Sequence, residues 1–291
     1  MPPAVPPHQP VKSRIGHFVA RTPITVRDCL AGHFRLSPPE IDRLFELGAL
    51  YLDKRRVDGD CRLEAGAYLR VHLEPKRFAT DRINWAERIV GETADYLVAD
   101  KPRGVPVHAT VDNRVDNALH QLRCLRGPGL CVTQRLDIPA GGLFVLAKTP
   151  AFQRDFNYRL ARRQVTKRYR VLVEVAPPPG LHTHYMEPSE RAPRKVSPRF
   201  QAGWADCQLT VLGTRGVDGA VEVDIDLHTG RTHQIRAQLS AMGSPVLGDA
   251  SNGSARGFRH GIALQCTELG WDDAMGNHRW RLPPPWEPQA R

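Results

Sequence analysis

A glycine-rich turn, Gly141-Gly142, leads into the apolar run Leu143-Phe144-Val145-Leu146-Ala147 and Lys148, and Gln134-Arg135-Leu136-Asp137 precedes it. The turn and run define a strand and place one carboxylate at its edge, beside a cation. A second segment, His228-Thr229-Gly230-Arg231-Thr232-His233-Gln234-Ile235-Arg236, supplies a candidate partner. Around these two segments, residues 96–99, 143–147, 169–175, 208–212, 221–227 and 261–266 read as strands. Helices fit residues 117–126, 150–163 (Thr149 as N-cap) and 232–242, the last ended by Gly243. The connections are mixed rather than a steady βαβ rhythm. This predicts an α+β fold with a mixed, largely antiparallel sheet.

The N-terminal part has its own organisation. Residues 1–11 are proline-rich and read as a disordered lead-in. Residues 12–76 form a small α/β domain. Val26, Cys29, Leu30, His33 and Phe34 follow helical spacing. Ser37, Pro38 and Glu40 then make a capping-box start for a helix with an Ile41, Leu44 and Phe45 stripe, closed by Gly48. Two short strands follow, near residues 49–52 and 67–73. Residues 77–85 read as a linker and 86–291 as a second, larger domain.

Composition narrows the partner. The formal net charge is +10, with arginine far outnumbering lysine, which suits a polyanion and bidentate phosphate contacts. The six cysteines form no CxxC pair, so neither a zinc site nor a disulfide framework is expected. No signal peptide and no apolar run near the roughly 18 residues needed to span a membrane is visible. These readings place the chain in a reducing, cytoplasmic setting, away from membranes and acting as a monomer.

A carboxylate that acts as nucleophile or base needs a fixed position and a neighbouring cation. Asp137 has Arg135 on its own segment. Arg231 is the better partner on this reading, because it opens a helix after a strand and Gly230 permits a sharp turn. From the residues alone, an aspartate at a strand–turn junction is more often a turn former, and Tyr169 more often an ordinary core tyrosine. His228 and His233 lack a third ligand at metal spacing, His182 and His184 lie in a proline-flanked loop, and no GxGxxG or GxxxxGK[ST] motif is present.

Four ordered segments change the weighting. Asp137, Gly142-Leu143 and Ala147-Lys148, then Lys167-Arg168-Tyr169, then Thr229–Arg236 with Gly243–Asp249, and Asp100–His108 upstream, together resemble the signatures of the RluA-type RNA pseudouridine synthases. The resemblance covers roughly residues 86–286. It departs at Gln134, where the family has His, at Ile138 and Pro139, and at Ala140-Gly141, where Thr-Ser is usual. The resemblance implies a pseudouridine synthase fold and isomerisation of a flipped-out uridine without metal or other cofactor. It makes Asp137 the essential carboxylate, Tyr169 the platform for the uracil and Arg231 the group that orients Asp137. Whether Asp137 attacks the sugar, attacks the ring or acts as a base stays open.

From Arg154 to Arg170 there are seven arginines or lysines against one acid, Asp155, which reads as a phosphate track toward Tyr169. Arg135, Arg162, Arg163, Lys167 and Arg168 are its RNA-binding candidates, and Arg191, Arg194, Lys195 and Arg199 could close over RNA. The N-terminal unit resembles the small RNA-binding domain named after a small-subunit ribosomal protein, with Arg43, Lys54, Arg55 and Arg56 facing RNA. Ribosomal RNA stands ahead of transfer RNA as the target. Two rivals are a catalytically inactive RNA-binding protein of the same fold and a hydrolase using Asp137 and His233.

Overall fold

The computed structural model describes residues 14–189, 192–259, 261–283 and 286. The lead-in over residues 1–11 and Arg191 of the proline-interrupted loop lie outside the described residues. Two compact units are present. One runs through Arg82 and takes in His108–Gln121; the other comprises Ile83–Val107 and Leu122 onward. Segment 108–121, which the sequence reading kept with the larger region, thus belongs to the smaller one. Asn113 Nδ2 donates to the Lys76 carbonyl (2.7 Å), and Asp116 accepts from Arg77 Nε (2.5 Å).

The small unit contains β1 (Ile15–Val19), β2 (Ile24–Thr25), α1 (Val26–Gly32), α2 (Pro38–Leu47), β3 (Leu50–Leu52), β4 (Arg55–Arg56), β5 (Arg62–Leu63) and β6 (Tyr68–His72). Thr25 caps α1 by accepting from the Asp28 amide. At α2, Glu40 reaches back to the Ser37 amide (2.7 Å), and Gly48 ends the helix at φ 64°, a left-handed conformation that suits glycine. Four strands pair in the order β1-β6-β3-β4, and β2 pairs separately with β5. Val26, Leu30, Ile41 and Leu44 from the helices meet Leu50, Leu69 and Val71 from the sheet in one buried cluster.

The large unit adds β7 (Ile89–Glu92), β8 (Tyr96–Lys101), α3 (Ala118–Arg126, from Leu122 on), β9 (Cys131–Val132), β10 (Gly141–Ala147), α4 (Pro150–Ala161), β11 (Val165–Val173), β12 (Gly180–Met186) and β13 (Val196–Ser197). These are followed by β14 (Ala205–Val217), β15 (Ala220–Leu227), α5 (Gln234–Ala241), β16 (Leu264–Asp273) and β17 (Gly276–Arg281). The main sheet runs β13-β12-β14-β15-β11-β16-β10-β8-β7, with β17 beside β16 and β9 beside β10. Its described pairings are antiparallel except β10–β16, where Gly141 faces Gln265 and Gly142 faces Cys266. This is the mixed, mostly antiparallel α+β fold expected. β10 is buried along its whole length, which is why its sequence shows no polar alternation.

The basic stretch from Arg154 to Arg170 spans two elements: α4 ends at Ala161, and β11 begins at Val165, earlier than the strand start expected at 169. Along a strand, neighbours point to opposite faces, so Lys167 and Tyr169 are buried while Arg168 is exposed. The sequence also gave no sign of β7, β12 or β17, which carry polar or glycine residues where an apolar alternation was sought.

Candidate active site

Asp137 lies in the loop between β9 and β10, and the backbone of that loop is tied down residue by residue. The Asp137 carbonyl accepts from the Ala140 amide (3.1 Å), the Ile138 carbonyl from Gly104 (2.8 Å) and the Pro139 carbonyl from Ile262 (3.2 Å). Lys101, at the end of β8, is fully buried beneath it. Its ammonium donates to the carbonyls of Ala140 (2.6 Å), Val105 (2.8 Å), Pro102 (3.0 Å) and Ile138 (3.3 Å). Burial pushes its pKa down to about 7, against the opposing pull of the Asp137 charge. Lys101→Met strips these carbonyls of their donor. It is expected to destabilise the protein by about 1–3 kcal/mol and to loosen the Asp137 loop. An unchanged urea midpoint would show that the ammonium does not hold the loop.

Two glycines explain why the turn takes this form. A Cβ on Gly142 (φ 108°) would lie 2.2 Å from the Cys266 carbonyl oxygen, inside the parallel β10–β16 seam. A Cβ on Gly141 would meet Arg103 Cγ at 3.2 Å. Arg103 fills that space and donates to the Ile262 carbonyl (3.1 Å) and to Gln265 Oε1 (2.8 Å). The Gly141 departure is therefore accommodated by a neighbouring arginine.

The cation on Asp137 is Arg236. From the first turn of α5, Arg236 Nη1 donates to Asp137 Oδ2 at 3.2 Å. The guanidinium is almost wholly buried. Its Nε and Nη2 grip Asp249 bidentately (2.6 and 2.9 Å), and Nη2 also donates to Ser251 Oγ (3.0 Å). A bidentate grip fixes the plane of the fork, so Nη1 is aimed rather than merely near. Asp137 Oδ1 takes no hydrogen bond among the described residues. His233 Nε2 stands 3.8 Å from it, at the left-handed N-cap of α5. Burial lowers the His233 pKa, the Asp137 charge opposing, so this imidazole is neutral at neutral pH.

This corrects the role given to Arg231. Its side chain is half-exposed and pairs with Asp206 (Nη2 to Oδ1, 3.4 Å), a carboxylate it shares with Arg163 (2.5 Å). The turn carrying it is instead organised by buried Gln234. Gln234 Oε1 accepts from Thr229 Oγ1 (2.8 Å) and from the Arg231 amide (3.0 Å), while its Nε2 donates to Gln238 Oε1 (2.8 Å). Arg231→Ala is expected to leave stability within about 0.5 kcal/mol, measured by the same urea titration.

Tyr169 is buried in the core of the sheet, and its hydroxyl is hydrogen-bonded to the Cys266 thiol. Burial, and then Cys266 and the Asp137 charge, raise its pKa well above the usual phenol value, so it is a neutral phenol. Lys167, on the same face of β11, is also buried, and a Cβ at Gly230 would sit 3.6 Å from its Nζ. It is not a surface contact for phosphate. Arg168 points away from Tyr169 and pairs with Glu268 at 3.8 Å. Arg162 lies over the Tyr158 ring, and exposed Arg135 donates to Thr232 Oγ1 (3.3 Å), bridging the two motif segments. Of the basic candidates in the small unit, Arg43, Lys54 and Arg55 are exposed, while Arg56 is tied to Tyr51 and the Thr110 carbonyl.

Asp249 sets a pH limit on this site. Burial opposes its ionisation, but hydrogen bonds from Arg236, Ser251 and Asn252 outweigh that and hold its pKa below the ordinary 3.8. A carboxylate depressed on folding stabilises fully above its unfolded pKa, and that stability is lost as pH falls through the folded value. Stability below about pH 4 should therefore drop more steeply in wild type than in Asp249→Asn, as read from unfolding midpoints against pH.

Residues 95–241, just over half of the chain, match the family model described as RNA pseudouridylate synthase. The chain belongs to this family. Two curated members, the chloroplastic RNA pseudouridine synthases 6 of rice (Oryza sativa subsp. japonica) and Arabidopsis thaliana, are 33% and 32% identical to it. The matches cover 80% and 77% of this chain and 62% and 61% of theirs. The chain thus spans under two thirds of the length of these pseudouridine synthases. Their names overturn the cytoplasmic assignment, which rested only on cysteine spacing and on a missing signal peptide. Among solved structures, the human RNA pseudouridylate synthase domain containing 4 shares the fold, with a TM-score of 0.57 at 20% identity. That match covers 69% of this chain and 90% of the other.

In the sequence, Arg236, Asp249 and Lys101 stand only as members of the motif segments. Helical spacing held the signal for the first: His233 and Arg236 are three apart and share a helix face, whereas Arg231 precedes the helix.

Proposed function

We propose that this protein isomerises uridine to pseudouridine in structured RNA, in the manner of the RluA type, with Asp137 as the essential carboxylate. The Asp249–Arg236–Asp137 relay carries the reading. A buried guanidinium fixed by one carboxylate orients a second, which keeps one oxygen unengaged beside a neutral imidazole. In the reaction the N1–C1′ bond of uridine breaks, a C5–C1′ bond forms and the C5 proton is exchanged for one on N1. Atoms balance and no redox partner or metal is required. Asp137 supplies the negative charge for the sugar or ring, and Arg236 is its positioning residue. Buried Tyr169 forms the wall against which a flipped uracil is held. Arg135, at the rim, meets the RNA backbone with Arg162 and Arg163.

The small unit, with Arg43, Lys54 and Arg55 exposed, contributes RNA affinity. A separate basic unit of this kind favours a large structured target, ribosomal RNA ahead of transfer RNA, with the protein acting as a monomer. Deleting the gene and mapping pseudouridines by carbodiimide sequencing tests this. Specific sites should vanish and return with the wild-type gene. Rescue by an Asp137→Ala gene, or no lost site, would leave a protein that binds RNA without modifying it.

A further inference from the structure

The four-stranded sheet of the small unit packs one face on α1 and α2, and its other face has a distinct chemistry. Register pairs His17 with Arg70, Val19 with Tyr68, Ile15 with His72 and Tyr51 with Arg70. Directly paired residues of an antiparallel sheet project to the same side, so these side chains share that second face. At the β1–β6 end the rings of exposed His17 and half-buried Tyr68 are stacked at 18°, centroids 5.9 Å apart, and share a hydrogen bond. Ile15 and Val19 flank them, 43% and 56% exposed. The Tyr51 end is closed, because its hydroxyl donates to the Val111 carbonyl (2.7 Å).

Arg70 lies over the Tyr51 ring at 4.5 Å, with its buried Nε unpartnered, and takes no carboxylate among the described residues. His72, 2% exposed and on the same face, has neither ring nitrogen hydrogen-bonded. Open aromatic faces with flanking aliphatic side chains and an uncompensated guanidinium suit a ligand that is flat and aromatic on one side and anionic on the other. Unpaired nucleotides have that chemistry, bases stacking on rings and phosphates meeting arginine; a duplex hides its base faces.

We propose that this face of the small sheet is a binding platform for unpaired nucleotides of the RNA, centred on His17, Tyr68 and Arg70. It rests on the reading that the chain acts on RNA, though not on Asp137 chemistry. The test uses the full chain and a fluorescent oligocytidylate, which contains no uridine, beside an RNA duplex. His17→Ala and Tyr68→Leu should each weaken oligocytidylate binding by about tenfold and leave duplex binding within about twofold. Photo-crosslinks from a thionucleotide oligomer should map to β1 and β6. Unchanged oligocytidylate affinity in His17→Ala, whose exposed side chain bears little on folding, overturns the proposal. Equal loss for both RNAs overturns it too, showing charge alone. If Tyr68→Leu misfolds, His17→Ala and the crosslinks decide. Asp137→Asn should bind oligocytidylate like wild type, so a failure of the isomerase reading leaves this result standing.

Discussion

An Asp137→Asn protein is expected to bind its RNA as tightly as wild type and to lose isomerisation by on the order of 10⁴-fold, the upper end of what one positioned acid or base supplies. The substitution keeps shape and keeps an oxygen for Arg236 to meet, so the fold has no reason to change. What it removes is the negative charge beside His233. Single-turnover release of tritium from 5-tritiated RNA measures the rate, and a filter-binding titration measures affinity. Conversion within tenfold of wild type would remove Asp137 from the chemistry. Loss of affinity in step with rate would mean that it only shapes the pocket.

Arg236 carries a different kind of effect. Arg236→Gln leaves Asp249, 2% exposed, without its bidentate partner, and breaking a buried pair from one side costs about 3–5 kcal/mol. The expected result is a large fall in the urea midpoint together with loss of activity. Lysine should not restore either, because an ammonium cannot grip Asp249 with two parallel bonds and still present a third donor to Asp137. A paired replacement, Arg236→Leu with Asp249→Leu, separates the two roles. It removes both charges and should recover much of the stability while activity stays lost. If the leucine pair is active, Arg236 serves the fold alone.

The sequence revealed the frame of the site more readily than its wiring. The strand β10, the glycine turn before it and the second motif are each local, and local pattern exposes them. The capping box at Ser37 and the Thr149 cap were visible for the same reason. The partner of Asp137 was not, because choosing between Arg231 and Arg236 depends on where α5 begins. His233, in a left-handed conformation at its N-cap, shifts the start past Thr232. The buried state of Lys167 was hidden because a run of basic residues gives no hint that a strand starts within it. Lys101 was hidden by the opposite expectation, since a lysine is rarely interred unless the backbone around it supplies carbonyls. The return of 108–121 to the small unit depends on contacts of Asn113 and Asp116, polar residues whose pattern signals only a loop.

The Asp137–Arg236 hydrogen bond joins residues 99 apart in the chain, and the arginine is held in turn by residues 249 and 251. During synthesis, then, the small unit, the Asp137 loop and Tyr169 all emerge before the group that aims the carboxylate. A nascent or prematurely released chain ending before Asp249 lacks both the carboxylate that fixes Arg236 and β16, the strand between β11 and β10. Aim is conferred late in chain order, by residues 236–251, so a product truncated before Asp249 is expected to be inactive.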